Sequence, residues 1–128
     1  MADPKPYVAL IVEDTEDVAG MMEVILQSIG LETNRARNGF EALSHLEAQT
    51  PDIMILDIGM PGMSGWDVLE TLKAQNYAFP FPIIVMTAYS DPANKLIGKL
   101  QDAVYRYMTK PFEAAALAQT VREALGMN

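Results

Sequence analysis

Residues 53–65 read Ile-Met-Ile-Leu-Asp-Ile-Gly-Met-Pro-Gly-Met-Ser-Gly. Ile53 to Leu56 form an apolar run without alternation, as a strand covered on both faces requires. The run stops at Asp57, a carboxylate that is costly to place at the end of a buried strand unless something compensates its charge. Gly59, Pro61, Gly62 and Gly65 then make the chain turn. A buried strand, an acid at its end and a glycine-rich loop describe the carboxyl edge of a parallel sheet.

The same pattern recurs on either side. Upstream, Tyr7 to Val12 is apolar and runs straight into Glu13 and Asp14. Downstream, Ile83 to Met86 ends at Thr87, and Tyr105 to Thr109 ends before Lys110. A more polar strand is expected over Leu31 to Ala36. Helices are expected between the strands. Val18, Met21, Met22, Ile25 and Ile29 recur at helical spacing, with Gly30 at the end. Asn38 or Gly39 opens a helix with Phe40, Leu43 and Leu46 on one face, and Pro51 closes that segment. Val68, Leu69 and Leu72 define a helix after the glycine loop. Asn76 to Pro82 is expected to be an irregular connection. Asp91 and Pro92 open a helix with Leu96, Ile97 and Leu100. Leu117, Val121 and Leu125 mark the last helix. Strand and helix alternate five times, so the chain is α/β with helices on both faces of a parallel sheet. Right-handed crossovers restrict the topology, and ligands bind at the carboxyl ends of such strands.

The chain has 128 residues, enough for one domain. Residues 1–6 read as a loose start and 7–128 as the domain, with no output domain expected. Half of the residues are apolar and a fifth charged, which excludes a disordered chain. No apolar run approaches the roughly 20 residues of a membrane span, and no signal peptide is legible. A cytoplasmic location with no membrane partner is therefore expected. With no cysteine, thiolate metal sites and a cysteine nucleophile are excluded. A net charge of −8 argues against direct nucleic-acid binding through a basic face.

Carboxyl ends of parallel strands share one edge, so Glu13, Asp14, Asp57, Thr87 and Lys110 can converge. Three carboxylates together need positive charge. Mg²⁺ suits such an oxygen-ligand site, and Lys110 adds a fixed cation. Such a set fits phosphoryl transfer to a carboxylate, with Asp57 attacking phosphorus in line. Glu16 and Asp17 are better explained as the acidic first turn of a helix. His45, the only histidine, reads as a surface residue with no phosphodonor role. Met54, Met86 and Met108 read as core, and Trp66 as structural or part of a contact surface.

At these positions the sequence resembles the receiver domain of two-component response regulators, of the single-domain, chemotaxis-receiver-like kind. The matching segments are IVEDT, ILDIGMPGMSG, VMTA and YMTKPF, in that order. The resemblance implies a flavodoxin-like, doubly wound (βα)5 sandwich with sheet order 2-1-3-4-5. It implies that Asp57 is the phosphoacceptor and that Thr87 and Lys110 contact the phosphoryl oxygens. Asp14 would bind Mg²⁺ directly, Glu13 through water, and Gly59 through its backbone carbonyl. Tyr107 would be the aromatic residue coupled to Thr87, and Lys110-Pro111 a cis peptide. The output surface would surround the helix after Thr87, the last strand and the last helix, with Lys95, Lys99, Tyr105 and Arg106 on it. The protein would be a switch in a phosphorelay that assists its own phosphorylation and dephosphorylation, rather than an enzyme. The implied phosphodonor is a sensor histidine kinase or a histidine phosphotransfer protein. The implied state is a monomer or a weak phosphorylation-dependent dimer.

Two features depart from the family pattern. Gly59 and Tyr89, two residues beyond Asp57 and Thr87, are neither acids nor amides, where such groups tune acyl-phosphate hydrolysis. The segment KLQDAVYRYMTKPF lacks the usual glycine-alanine turn before the last strand. Other functions fit less well. A haloacid-dehalogenase-type phosphatase needs an aspartate where Gly59 stands. A flavodoxin-like cofactor carrier needs a Ser/Thr/Gly-rich loop where EDTED stands. A phosphorylation-independent pseudo-receiver would have no use for Asp14, Asp57, Thr87 and Lys110 together.

Overall fold

The apolar runs lie side by side. In the computed structural model, which describes residues 5–88 and 103–127, β1 (Val8–Val12), β2 (Glu32–Ala36), β3 (Ile53–Asp57), β4 (Ile83–Ala88) and β5 (Arg106–Lys110) form one parallel sheet. The strand order is β2-β1-β3-β4-β5, as the family resemblance implies. The described helices are α1 (Glu16–Ser28), α2 (Gly39–Ala48), α3 (Gly65–Ala74) and α4 (Ala114–Leu125). The helix expected to open at Asp91 lies outside the described residues. Among the described residues, no helix is long and apolar enough to cross a membrane.

The pleat sorts the strand side chains into two cores, because successive residues face opposite ways. Leu10, Met54, Leu56 and Val85 pack with α2 and α3. Ile11, Ile53, Ile55 and Met86 pack with α1 and α4. The central strand β3 is buried at every position, which is why its sequence shows no alternation. At the edge, β2 is polar because Arg35 lies across α1. Its guanidinium bonds Glu23 at 2.6 Å. Gly20 leaves the room: a Cβ there would stand 3.2 Å from Arg35 Nη2.

Local signals set the helix ends. Asn38 caps α2 by accepting the Glu41 N–H at 2.9 Å. Ser64 and Asp67 form a reciprocal capping box on α3. Gly126, at φ 68°, closes α4 in the left-handed region. The connection 76–82 is irregular as expected, with Asn76 and Phe79 at positive φ.

Phe40 does not join the buried face of α2. It is 65% exposed, while Gly39, Ala42 and Leu46 are buried and Leu43 partly so. On the inner side, Met63 of the glycine loop lies so close that a Cβ on Gly39 would meet its Cγ at 2.5 Å. Gly39 thus sits on the inner face and Phe40 on the outer one. Met21, one of the apolar residues at helical spacing in α1, is also exposed, and Ala19 and Met22 take the core positions. The last strand starts one residue later than expected and takes in Lys110.

Candidate functional site

β3 delivers Asp57 at its last position, 5% exposed, with its backbone paired across to Met86. β1 delivers Glu13 one residue beyond its end, where the Glu13 N–H bonds Ala36 O and so continues the ladder. β5 delivers Lys110, paired with Ala88. Counting by twos along each strand puts Glu13 with Ile11, Asp57 with Ile55 and Lys110 with Met108. All three therefore emerge toward the α1–α4 side. Thr87 and Tyr107 have the opposite parity, with Val85, toward the α2–α3 side.

Lys110 is the hub of the described site. Its Nζ donates to Glu13 Oε1 at 2.5 Å and lies 3.2 Å from Asp57 Oδ2. The second oxygen of each carboxylate is held by backbone. Asp57 Oδ1 accepts the Gly59 N–H at 3.0 Å, and Glu13 Oε2 accepts the Thr15 N–H at 3.1 Å. Burial lifts the Glu13 carboxyl above its ordinary range. The hydrogen bonds from Lys110 and Thr15 oppose that shift, and the charge of Asp57 adds to it. Burial alone would lower Lys110, but the hydrogen bond to Glu13 and the charges of Asp57 and Glu13 outweigh it and leave its ammonium above the ordinary lysine range. Lys110 is thus a fixed cation at neutral pH.

Asp14 differs from Glu13 in being exposed. Oxygens of Glu13, Asp14 and Asp57 come within 4.8 Å of one another. One ammonium does not balance three carboxylates, so the cluster retains negative charge and suits a hard, oxygen-seeking cation. The Lys110–Pro111 bond is cis.

The glycine loop is built around Asp57. A Cβ on Gly65 would stand 2.7 Å from Asp57 O and 2.9 Å from Ile58 Cα, so only glycine lets α3 start this close to the acid. Gly59 has more room, with Asp57 Oδ1 3.7 Å from its would-be Cβ.

On the other side of the sheet, Tyr107 packs on Trp66, with ring centroids 6.3 Å apart and planes tilted by 44°. Trp66 is buried. Its Nε1 and the Tyr107 hydroxyl are both buried without a hydrogen-bond partner among the described residues. A buried polar group left with no partner at all costs about 1–3 kcal/mol. Burial also lifts the Tyr107 phenol above its ordinary range.

Among the expected site residues, Glu13, Asp14, Asp57 and Lys110 come together, and Gly59 adjoins Asp57. Thr87, the penultimate residue of β4, is half-buried and level with Thr109 in the ladder. Arg106 lies over the Tyr105 ring at 5.5 Å and pairs with Glu123 of α4 at 3.4 Å. Tyr89, Lys95 and Lys99 lie outside the described residues. The sequence reading did not find the Glu13–Lys110 bond, which spans 97 positions. It also missed the Trp66–Tyr107 contact, since neither residue signals the other locally.

Comparison with known proteins agrees with this geometry. The family model for the response regulator receiver domain matches residues 9–122. The sensory transduction protein RegX3 of Mycolicibacterium smegmatis is 36% identical over 116 residues, covering 91% of this chain and 49% of that protein. The DNA-binding response regulator MtrA of Mycobacterium tuberculosis is 33% identical, covering 93% of this chain and 50% of its own. The chain thus spans about half the length of these curated relatives. A CheY-like receiver domain protein from Methanospirillum hungatei superposes with a TM-score of 0.85 at 31% identity, covering 93% of this chain and 94% of that one. Fold, strand-end chemistry and kinship lead to one assignment: the chain belongs to the response regulator receiver domain family.

Proposed function

We propose that the protein accepts a phosphoryl group on Asp57 and passes the resulting change to a protein partner through the surface around the helix expected after Thr87, β5 and the last helix. The observation that carries this reading is the Lys110 ammonium held between Glu13 and Asp57 at a strand-end carboxylate. A carboxylate oxygen of Asp57 attacks phosphorus. The donor bond to phosphorus breaks, and its electron pair leaves with the donor, the imidazole of a phosphohistidine or the acetate of acetyl phosphate. Lys110 supplies positive charge where the phosphoryl oxygens arrive. Glu13 keeps Lys110 aimed at that point. Thr87 offers a hydroxyl donor from the neighbouring strand. Mg²⁺, held by Asp14 and Asp57 with the Gly59 carbonyl and with Glu13 through water, would neutralise charge on the transferring group.

The proposed donor is a sensor histidine kinase or a histidine phosphotransfer protein, and the proposed location is cytoplasmic. The protein is a phosphoacceptor switch that acts on its own acyl phosphate, not a turnover enzyme. Tyr107 is its proposed coupled aromatic residue. Tyr105 and Arg106, with Lys95 and Lys99, form the proposed output surface. The named relative MtrA is a DNA-binding regulator; for this chain a protein target is proposed, since its net charge of −8 opposes a nucleic-acid face. Gly59 and Tyr89 offer no acid or amide for a hydrolytic water, so the acyl phosphate should be relatively long-lived. The test is incubation with radiolabelled acetyl phosphate and Mg²⁺. Label should enter the wild-type chain and not Asp57→Ala, with unchanged circular dichroism. Label retained by the variant would refute the assignment.

A further inference from the structure

The proposed coupling of Asp57 to Tyr107 runs through Thr87. The structure contains a second physical connection that bypasses it. α3 begins against the phosphoacceptor, because Gly65 stands so close to Asp57 O and Ile58 Cα that no Cβ fits between them. A displacement of the Asp57–Ile58 backbone toward α3 therefore presses on Gly65. Trp66 is the next residue, its indole is buried, and its ring lies against Tyr107. A large, rigid side chain in a close-packed core transmits displacement instead of absorbing it.

The polar atoms give this contact two arrangements. The indole N–H can only donate, while a phenol oxygen can accept as well as donate. Both are buried, both lack a partner among the described residues, and the rings that carry them touch. Whether the two groups pair or the hydroxyl turns to solvent depends on how Tyr107 sits against Trp66. A shift of Trp66 therefore biases which arrangement is populated.

We propose that Trp66 is a positioning residue of the switch, carrying the state of Asp57 to Tyr107 through the Gly65 backbone independently of Thr87. This deepens the phosphoacceptor reading and rests on it. Trp66 is the only tryptophan in the chain, so its emission reports the route directly. The experiment titrates the full chain with beryllofluoride, a phosphoryl mimic, in the presence of Mg²⁺, against a Mg²⁺-only control. Fluorine NMR measures occupancy. A second sample carries fluorotyrosine to follow the Tyr107 resonance, assigned through Tyr107→Phe.

Trp66 emission is expected to shift in proportion to occupancy. At matched occupancy, Thr87→Ala should retain about half or more of that shift and a displaced Tyr107 resonance. Adding Trp66→Phe to Thr87→Ala should remove the Tyr107 response, whereas a purely structural Trp66 would leave it in place. Full occupancy without an emission change, or loss of the emission and Tyr107 responses in Thr87→Ala alone, overturns the proposal and leaves the phosphoacceptor reading standing. A chain that binds no beryllofluoride by fluorine NMR overturns both.

Discussion

At the scale of single residues, the division of labour between Glu13 and Asp14 is the informative feature. They are neighbours in sequence, yet Glu13 is buried on Lys110 while Asp14 faces solvent. Because burial raises the Glu13 carboxyl, its ionisation opposes folding in the metal-free protein. A raised pKa gives a stability contribution that is complete below the ordinary value of 4.5 and is lost as pH rises through the folded value. Glu13→Gln should therefore raise the metal-free melting temperature at neutral pH, with the gain vanishing below pH 4.5. Calorimetry across that range checks it. Lys110 also has a raised pKa, so its contribution persists through the ordinary lysine range and fades only at more alkaline pH. Gly59 bears on lifetime. Giving the site an amide by Gly59→Asn should speed loss of the phosphoryl group by about one order of magnitude, less than full general-base catalysis supplies. A decay assay after donor removal measures this, and unchanged decay would remove Gly59 from the tuning role.

At the scale of elements, the junction of β3 and α3 is the most constrained place in the chain. Gly65→Ala drives a Cβ into the backbone of Asp57 and Ile58. It should cost about 1–3 kcal/mol by overpacking and slow phosphorylation as well, because the displaced atoms belong to the acceptor. Gly59→Ala has room and should leave stability nearly unchanged. Denaturant melts of the two variants, side by side, decide between crowding at Gly65 and a general loop requirement for glycine. Element-level signals also explain what the sequence revealed. β1, β3 and β4 were legible because parallel central strands are apolar throughout. β2 was a weaker signal because an edge strand can spend its positions on Thr33 and Arg35, which bond to Glu23. The exposure of Phe40 was not legible, because its spacing with Leu43 and Leu46 fits a single apolar face. Met63, which packs against Gly39 on the inner face, is 24 positions away along the chain. The converging acids were legible through their shared place at strand ends. The Glu13–Lys110 clamp and the Trp66–Tyr107 contact were not, because they arise only when β5 docks at the sheet edge.

At the scale of the whole molecule, the sheet is a rigid floor between two cores, with the acidic cluster at its carboxyl edge. A cation bound only by the folded chain stabilises it by mass action, by about 2.7 kcal/mol at 100 times its dissociation constant. Mg²⁺ should therefore raise the melting temperature, a chelator should reverse the gain, and Asp14→Asn should abolish it. No response to Mg²⁺ in the wild-type chain would mean that the carboxylates are served by Lys110 alone. The same architecture gives the site its reach. Asp57, Lys110 and Glu13 lie toward α1 and α4, Thr87 and Tyr107 toward α2 and α3, so one event at the edge addresses both faces. The central claim is that Asp57 is the atom-level acceptor, and borohydride trapping tests it most directly. After reaction with acetyl phosphate and Mg²⁺, reduction converts an aspartyl phosphate to homoserine, and peptide mass spectrometry locates it. Homoserine at position 57 alone is the predicted result; homoserine at position 14, or none in a folded chain that has taken up label, would contradict the account.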